Sequence, residues 1–400
     1  MMFQGIRPST IGTEELSLLV SRAQSLTKGG YDLYDQNYEV LSALVKKILP
    51  LAKQEKEWYL YFDAIYELFY LDKRNSNYIE IVKYAEVYYK DSALYMDREI
   101  PNYPGTTMSF LNPWIYHLIF TTYRDYCQID DAKMELFMKN YKEAVFKYGK
   151  IYEYYNDEMS LSILYRDIDR TKAAARNFVK YEKEMKSCYI CGHLHYLSHF
   201  LLIDQNKKAE ELMLDFIHKN IPQKHLWCYQ YCENAQLDSM YEHMIYNEIQ
   251  FGKIEGFHYF YETYWEKLPR ETQWNTNSSS FARMLCVYSG WYDGVEEDLH
   301  MVVEDMENEK KSTTIDNMQS FLQWWCYFSL LDRGGIHTVL LSLPGLEPDE
   351  QGQITTLAAC RYMEEKADEY GRKFSQVRAQ FDYDFIKSSY AKAILPGDLK

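Results

Sequence analysis

Four cysteines stand at spacings suited to metal chemistry. Cys188-x-x-Cys191 is followed by Cys228-x-x-x-Cys232. On helices, spacings of three and four put both members of a pair on one face. Four thiolates that meet form a tetrahedral zinc site. His195 lies four residues after Cys191 and His225 three before Cys228, so either can replace a thiol as ligand. Such a structural zinc would pin two neighbouring segments whose packing is otherwise loose. Two other readings fit the same residues. Buried cysteine is a small hydrophobe, and Cys127, Cys286, Cys326 and Cys360 show that this chain uses it freely. A Cys-x-x-Cys is also a redox pair, although that chemistry expects a strand-to-helix junction.

Other chemistry is poorly represented. His195 and His199 have the i, i+4 spacing of a metal pair, but no carboxylate stands where catalysis would need one. Phosphate-binding loops, HExxH, GxSxG and dinucleotide-binding glycine patterns are all missing from the sequence. No catalytic residue is therefore assigned. Aromatics are the remaining candidates. Trp227, Tyr231, Trp265 and Trp291 are the residues expected to line a groove and hold a peptide, since large rigid side chains bind at low entropic cost.

The elements that must carry these residues read as helices. Apolar residues recur at three- and four-residue spacing, as in Phe62, Ile65 and Phe69 and again in Tyr78, Val82 and Ala85. Polar breaks such as Asp130-Asp131, Asp204-Gln205-Asn206 and Gly252-Lys253 separate the stripes. A degenerate repeat joins them: Tyr123, Ala132 and Leu136; Tyr165, Ala174 and Phe178; Phe200, Ala209 and Met213. Gly256 with Phe260 keeps its second half, and Val295 with Leu299 keeps it loosely. Two helices cross closely where one carries a small residue, and the apolar residue four later joins the same stripe. By this reading 188–203 and 227–249 are the first helices of consecutive hairpins.

This pattern resembles the tetratricopeptide repeat, whose second helix carries Ala-x3-Phe. The family's Leu-Gly pair is missing, with Ile119-Phe120 in its place in one repeat, and Pro222 comes nearest to its closing proline. The resemblance implies an all-α solenoid of antiparallel hairpins, about eight at a period of roughly 40 residues. The expected organisation is N-terminal capping helices over 1–50, the array over 51–345, and a C-terminal cap over 346–400. Pro101 to Gly105 and Trp274 to Ser280 are loops that interrupt the rhythm. The cysteine set is also similar to that of a group of bacterial tetratricopeptide-like proteins with Cys-x-x-Cys on one repeat and another Cys on the next.

Composition narrows the function. Gly (17) and Pro (10) are scarce, which favours helices over turn-rich β folds. The 44 basic residues against 59 acidic leave a net charge of −15, which disfavours nucleic acids and anionic membranes. The acidic run from Glu296 to Glu309 reads as a solvated helix face. The 39 tyrosines suggest much half-exposed helical surface. Neither a signal peptide nor an apolar stretch of about 18 residues is present, so a cytoplasmic location with reduced thiols is expected. The resulting expectation is a non-enzymatic scaffold that binds a basic or apolar peptide or protein segment in a concave groove. A peptide-sensing regulator, similar to intracellular signal-peptide receptors on the same repeats, is one alternative. A redox or metal enzyme using the Cys/His cluster is another.

Overall fold

The structure is a computed structural model. It describes residues 2–3, 6–28, 32–75, 77–92, 112–185, 187–275, 279–309 and 314–396. The loop expected at Pro101 to Gly105, much of that expected at Trp274 to Ser280, and the Tyr231 side chain lie outside the described residues. The chain divides into two compact units, Met1–Tyr154 and Tyr155–Lys400.

In the first unit the apolar stripes become helices. These are α1 (Glu14–Leu26), α2 (Asp32–Gln36), α3 (Tyr38–Gln54), α4 (Trp58–Arg74), α5 (Tyr78–Ser92), α6 (Asn112–Asp125) and α7 (Asp131–Tyr148). Phe62, Ile65 and Phe69 form the buried face of α4, as their spacing predicts. Helix α3 packs on α4, α4 on α5 and on α6, and α6 on α7. Where the connection is short, as between α3 and α4 or α4 and α5, chain neighbours are antiparallel. This is the expected all-α solenoid class, with each helix buried against its sequence neighbours.

One repeat is out of register. Ala132 and Leu136 face solvent on α7, and the buried residues are Met134, Phe137, Met138 and Tyr141. Asp130 caps α7 by accepting the Lys133 N–H at 2.7 Å, which fixes where the helix starts. Burying one large apolar side chain is worth about 1.5–3 kcal/mol, so four of them outweigh one alanine crossing.

The second unit holds α8 (Ile151–Leu164, which begins in the first unit), α9 (Ile168–Tyr181), α10 (Tyr189–Leu202), α11 (Asn206–Ile217), α12 (Cys228–Tyr231) and α13 (Leu237–Gln250). It continues with α14 (Ile254–Phe260), α15 (Arg270–Asn275), α16 (Ser280–Tyr288), α17 (Val295–Glu309) and α18 (Ile315–Arg333). A short antiparallel pair, β1 (Thr338–Val339) and β2 (Ile354–Thr355), precedes α19 (Thr356–Val377) and α20 (Tyr383–Ile394). Here the repeat holds: Ala174 with Phe178, Ala209 with Met213, and Gly256 with Phe260 are all buried. Helix α10 packs on α11 and on α13.

The C-terminal tract does more than close an end. Helix α20 packs on α13, α14, α18 and α19. Arg166, just after α8, sits 3.5 Å from the Phe385 ring centre and pairs with Asp382 at 3.2 Å. Among the described residues no helix is long and apolar enough to cross a membrane.

Two sequence expectations change. Many tyrosines are core rather than half-exposed surface: Tyr61, Tyr88, Tyr123, Tyr141, Tyr327 and Tyr390 are all buried. Several send the hydroxyl to a carboxylate, as Tyr61 does to Asp91 (2.5 Å), Tyr327 to Asp298 (2.8 Å) and Tyr383 to Asp368 (2.7 Å). A buried phenol needs a partner, and buried carboxylates supply it. The acidic run on α17 is likewise not wholly solvated. Glu296 and Glu297 are exposed, but Asp298 accepts from Tyr327 and Asp305 accepts the Trp324 indole N–H at 2.7 Å, both on α18. Seven residues apart, the two aspartates share one face of α17.

Candidate metal centre

The four cysteines lie in the second unit at two chain turns. Cys188 is the N-cap of α10 and Cys191 sits in its first turn. The first helical turn leaves N–H groups without intrahelical partners, and its dipole favours negative charge. Cys228 opens α12, and Cys232 closes it as C-cap, returning its N–H to the Cys228 carbonyl at 2.8 Å. The single helix expected over 227–249 is therefore two pieces, α12 and α13, separated by a short irregular stretch. That break lets Cys228 and Cys232 approach α10 across the turn rather than along a continuous helix face.

The Sγ atoms of Cys188, Cys191 and Cys232 all lie within 4.8 Å of one another, close enough to hold a metal ion. Within this group the Cys191 and Cys232 sulfurs are 3.1 Å apart. Zinc–thiolate bonds of about 2.3 Å in a tetrahedron set sulfurs about 3.8 Å apart, so the triangle has the scale of a zinc site. Cys228, the fourth expected ligand, lies outside this group of three; it is fully buried, and its sulfur accepts the Tyr189 N–H at 3.4 Å. The Asn234 side-chain amide donates to Cys191 at 3.5 Å. Donors aimed at sulfur are what a bound or anionic thiolate needs around it. The contacts split the thiols. Hydrogen bonds from Cys188 and Cys232, with that of Asn234, pull Cys191 down, while bonding to Cys188 and Cys191 pushes Cys232 up. Burial pushes Cys228 up.

The substitute histidines separate. His195 is half-buried on α10, and its ring lies outside the thiol group. His225 is buried beside the site, its ring 5.2 Å from that of Tyr189, and its Nδ1 has no hydrogen-bond partner among the described residues. Burial holds its pKa below the usual imidazole value, so it is neutral and ligand-competent. The Tyr189 ring also stacks on His193 at 3.9 Å, and His193 reaches Glu182 at 3.3 Å. His199 is buried on α10, its pKa lowered to about 4 by burial.

The groove aromatics differ in burial. Trp265 is fully buried and belongs to the core, so it cannot line an open groove. Trp227 is 40% exposed. Trp291 is half-buried, with the Arg270 guanidinium over its ring at 5.9 Å and its indole N–H on Asp293 at 3.2 Å.

A polar cavity of about 420 Å³ went unnoticed in the sequence. Its lining includes Asn234, Glu242, His243, Ser279, Asp305 and Asp316. These come from the segment before α13 and from α13, α16, α17 and α18, elements far apart in the chain. Burial pushes Glu242 up to about 7, against a hydrogen bond from Ser279 at 2.6 Å. Burial pulls His243 down to about 4, so its imidazole is neutral, with Nε2 3.0 Å from the Ser198 hydroxyl on α10. Asn234 belongs both to this lining and to the surroundings of Cys191. No family model, curated protein or solved structure matches the chain.

Proposed function

We propose that the protein is a non-enzymatic scaffold of tetratricopeptide-like hairpins that binds a basic segment of a partner protein or peptide. The cavity carries this reading. Glu242, Asp305 and Asp316 converge on it, and its serine, glutamine and asparagine neighbours offer further hydrogen bonds. A lysine or arginine side chain complements that lining, and the net charge of −15 steers basic partners toward it. The test is capture with the tagged full chain, followed by titration of the captured partner's basic segment. Glu242→Gln is expected to weaken binding at least tenfold, about 1.4 kcal/mol. Binding that is indifferent to Glu242→Gln and Asp316→Asn would remove the cavity from the reading.

The cysteine cluster supports a second component, a structural zinc ion held by Cys188, Cys191, Cys228 and Cys232. Bound there, zinc would tie the start of α10 to the turn that leads into α13. Thiols kept reduced, as in a cytoplasm, suit that role. Metal analysis of protein purified without added metal tests it, and the expectation is one zinc per chain. A metal-free sample with normally titrating thiols refutes it.

A further inference from the structure

We infer that Cys191 is a peroxide-oxidised site and that Cys232 resolves it as a disulfide, opening the metal centre. The consequence for the metal rests on the zinc reading above; the pairing of the two thiols does not.

Four observations converge. The Cys191 and Cys232 sulfurs are 3.1 Å apart, nearer than a tetrahedral zinc would set them. Closing to the disulfide distance of about 2.05 Å asks for a shift of about an ångström. Cys191 lies in the first turn of α10 with the Asn234 amide on its sulfur, so a hydrogen-bond donor faces the atom that is oxidised. Both thiols, like that of Cys188, are half-buried and reachable by a small oxidant, whereas Cys228 and the packing cysteines Cys127, Cys286, Cys326 and Cys360 are buried. Cys232 also sits where movement is cheap. It is the C-cap of a four-residue helix with extended backbone (φ −115°, ψ 115°), followed by another short turn.

The chemistry balances with hydrogen peroxide as oxidant. The Cys191 thiolate attacks one peroxide oxygen, the O–O bond breaks, and the departing hydroxide takes a proton to become water. Cys191 is then a sulfenic acid. The Cys232 thiolate attacks the Cys191 sulfur, the S–O bond breaks, and hydroxide again leaves as water. Two thiols and one peroxide give one disulfide and two waters. The sulfurs lose two electrons and the peroxide gains them. A zinc held by all four cysteines loses two thiolates, and Cys188 and Cys228 alone do not hold it.

The experiment treats the full-length protein, as purified, with hydrogen peroxide. Free thiols, intact mass, disulfide-mapped peptides and zinc release to a chromophoric chelator are followed together. The expected result is loss of two titratable thiols, a crosslink between the peptides bearing Cys191 and Cys232, and zinc release in step with it. In Cys232→Ser the crosslink is lost and dimedone traps Cys191. Dimedone competition on the unmodified chain gives the same information should that variant misfold. A Cys188–Cys191 crosslink, or thiols that survive peroxide, overturns the proposal. Zinc present and retained under peroxide sinks the oxidation site and leaves the zinc reading intact. A Cys191–Cys232 crosslink in protein that never held zinc upholds the oxidation site and removes the zinc reading.

Discussion

The Glu248 carboxylate lies against the α-carbon of Gly256, so closely that a Cβ at Gly256 would stand 2.1 Å from Glu248 Oε2. This contact is where α13 and α14 cross, and both residues are buried. A second crossing of this kind joins α19 to α20, where a Cβ at Gly371 would stand 2.1 Å from the Tyr383 ring. The two differ in what must give way. A carboxylate rotates about its side-chain bonds, whereas the Tyr383 ring is buried and held by its hydroxyl on Asp368. Gly256→Ala is expected to cost about 1–3 kcal/mol and Gly371→Ala at least the upper end of that range. In a Glu248→Ala background, Gly256→Ala should turn mildly stabilising, since alanine exceeds glycine by about 1 kcal/mol in helix propensity. Urea denaturation of the four variants checks both the order and the coupling.

Glu248 also predicts a pH dependence. It is fully buried, and neither oxygen has a hydrogen-bond partner among the described residues. Burial pushes its pKa up to about 8, with Lys253 opposing and Asp204 adding to the rise. The unfolded carboxyl titrates near 4.3, so between that pH and about 8 the folded chain holds a proton that the unfolded chain has released. Stability from this group is thus full at low pH and is lost as pH rises, by at most about 1.4 kcal/mol per unit. Glu248→Gln should match the parent near pH 5 and exceed it near pH 8. Equal melting-temperature slopes for the two proteins across that window would refute the assignment.

Zinc removal should separate ligands from packers. Cys188→Ser is expected to abolish stoichiometric zinc and lower the melting temperature, and chelation of the parent should give the same shift. Cys286 is also buried, with its thiol pointing to the Gln273 carbonyl at 3.7 Å, but it lies outside the cluster. Cys286→Ala should lose stability through its cavity and keep its zinc. Metal content and thermal denaturation on the same samples decide the matter.

The tryptophans divide by burial. Trp265→Ala is expected to cost about 3–5 kcal/mol, as for other large core truncations. Trp227→Ala, at a 40% exposed residue, should cost well under that. Their stability losses compared under one denaturant, with partner binding measured alongside, show which of the two serves the surface.

The helices were legible because apolar periodicity is a local property. Phe62, Ile65 and Phe69 lie three and four apart, and only a helix brings them to one side. The same logic placed the small residues Ala174, Ala209 and Gly256 at buried crossings. It failed at Ala132 because the Asp130 cap and the stripe from Met134 to Tyr141 set a different face, a competition that the alanine motif by itself cannot express.

The cysteine spacing identified which thiols were available, but spacing cannot say whether two turns of chain meet. Tertiary packing of α10 beside the α12 turn decided that Cys188, Cys191 and Cys232 converge. It also decided that Cys228 takes the Tyr189 N–H and that His195 stays apart. The cavity was beyond sequence reading altogether, since Asn234, Glu242, Ser279, Asp305 and Asp316 become neighbours only when α13, α16, α17 and α18 pack. Local periodicity is written into short windows of chain. Burial, the pKa values it shifts and the meeting of distant polar groups depend on surfaces that exist only after the hairpins stack.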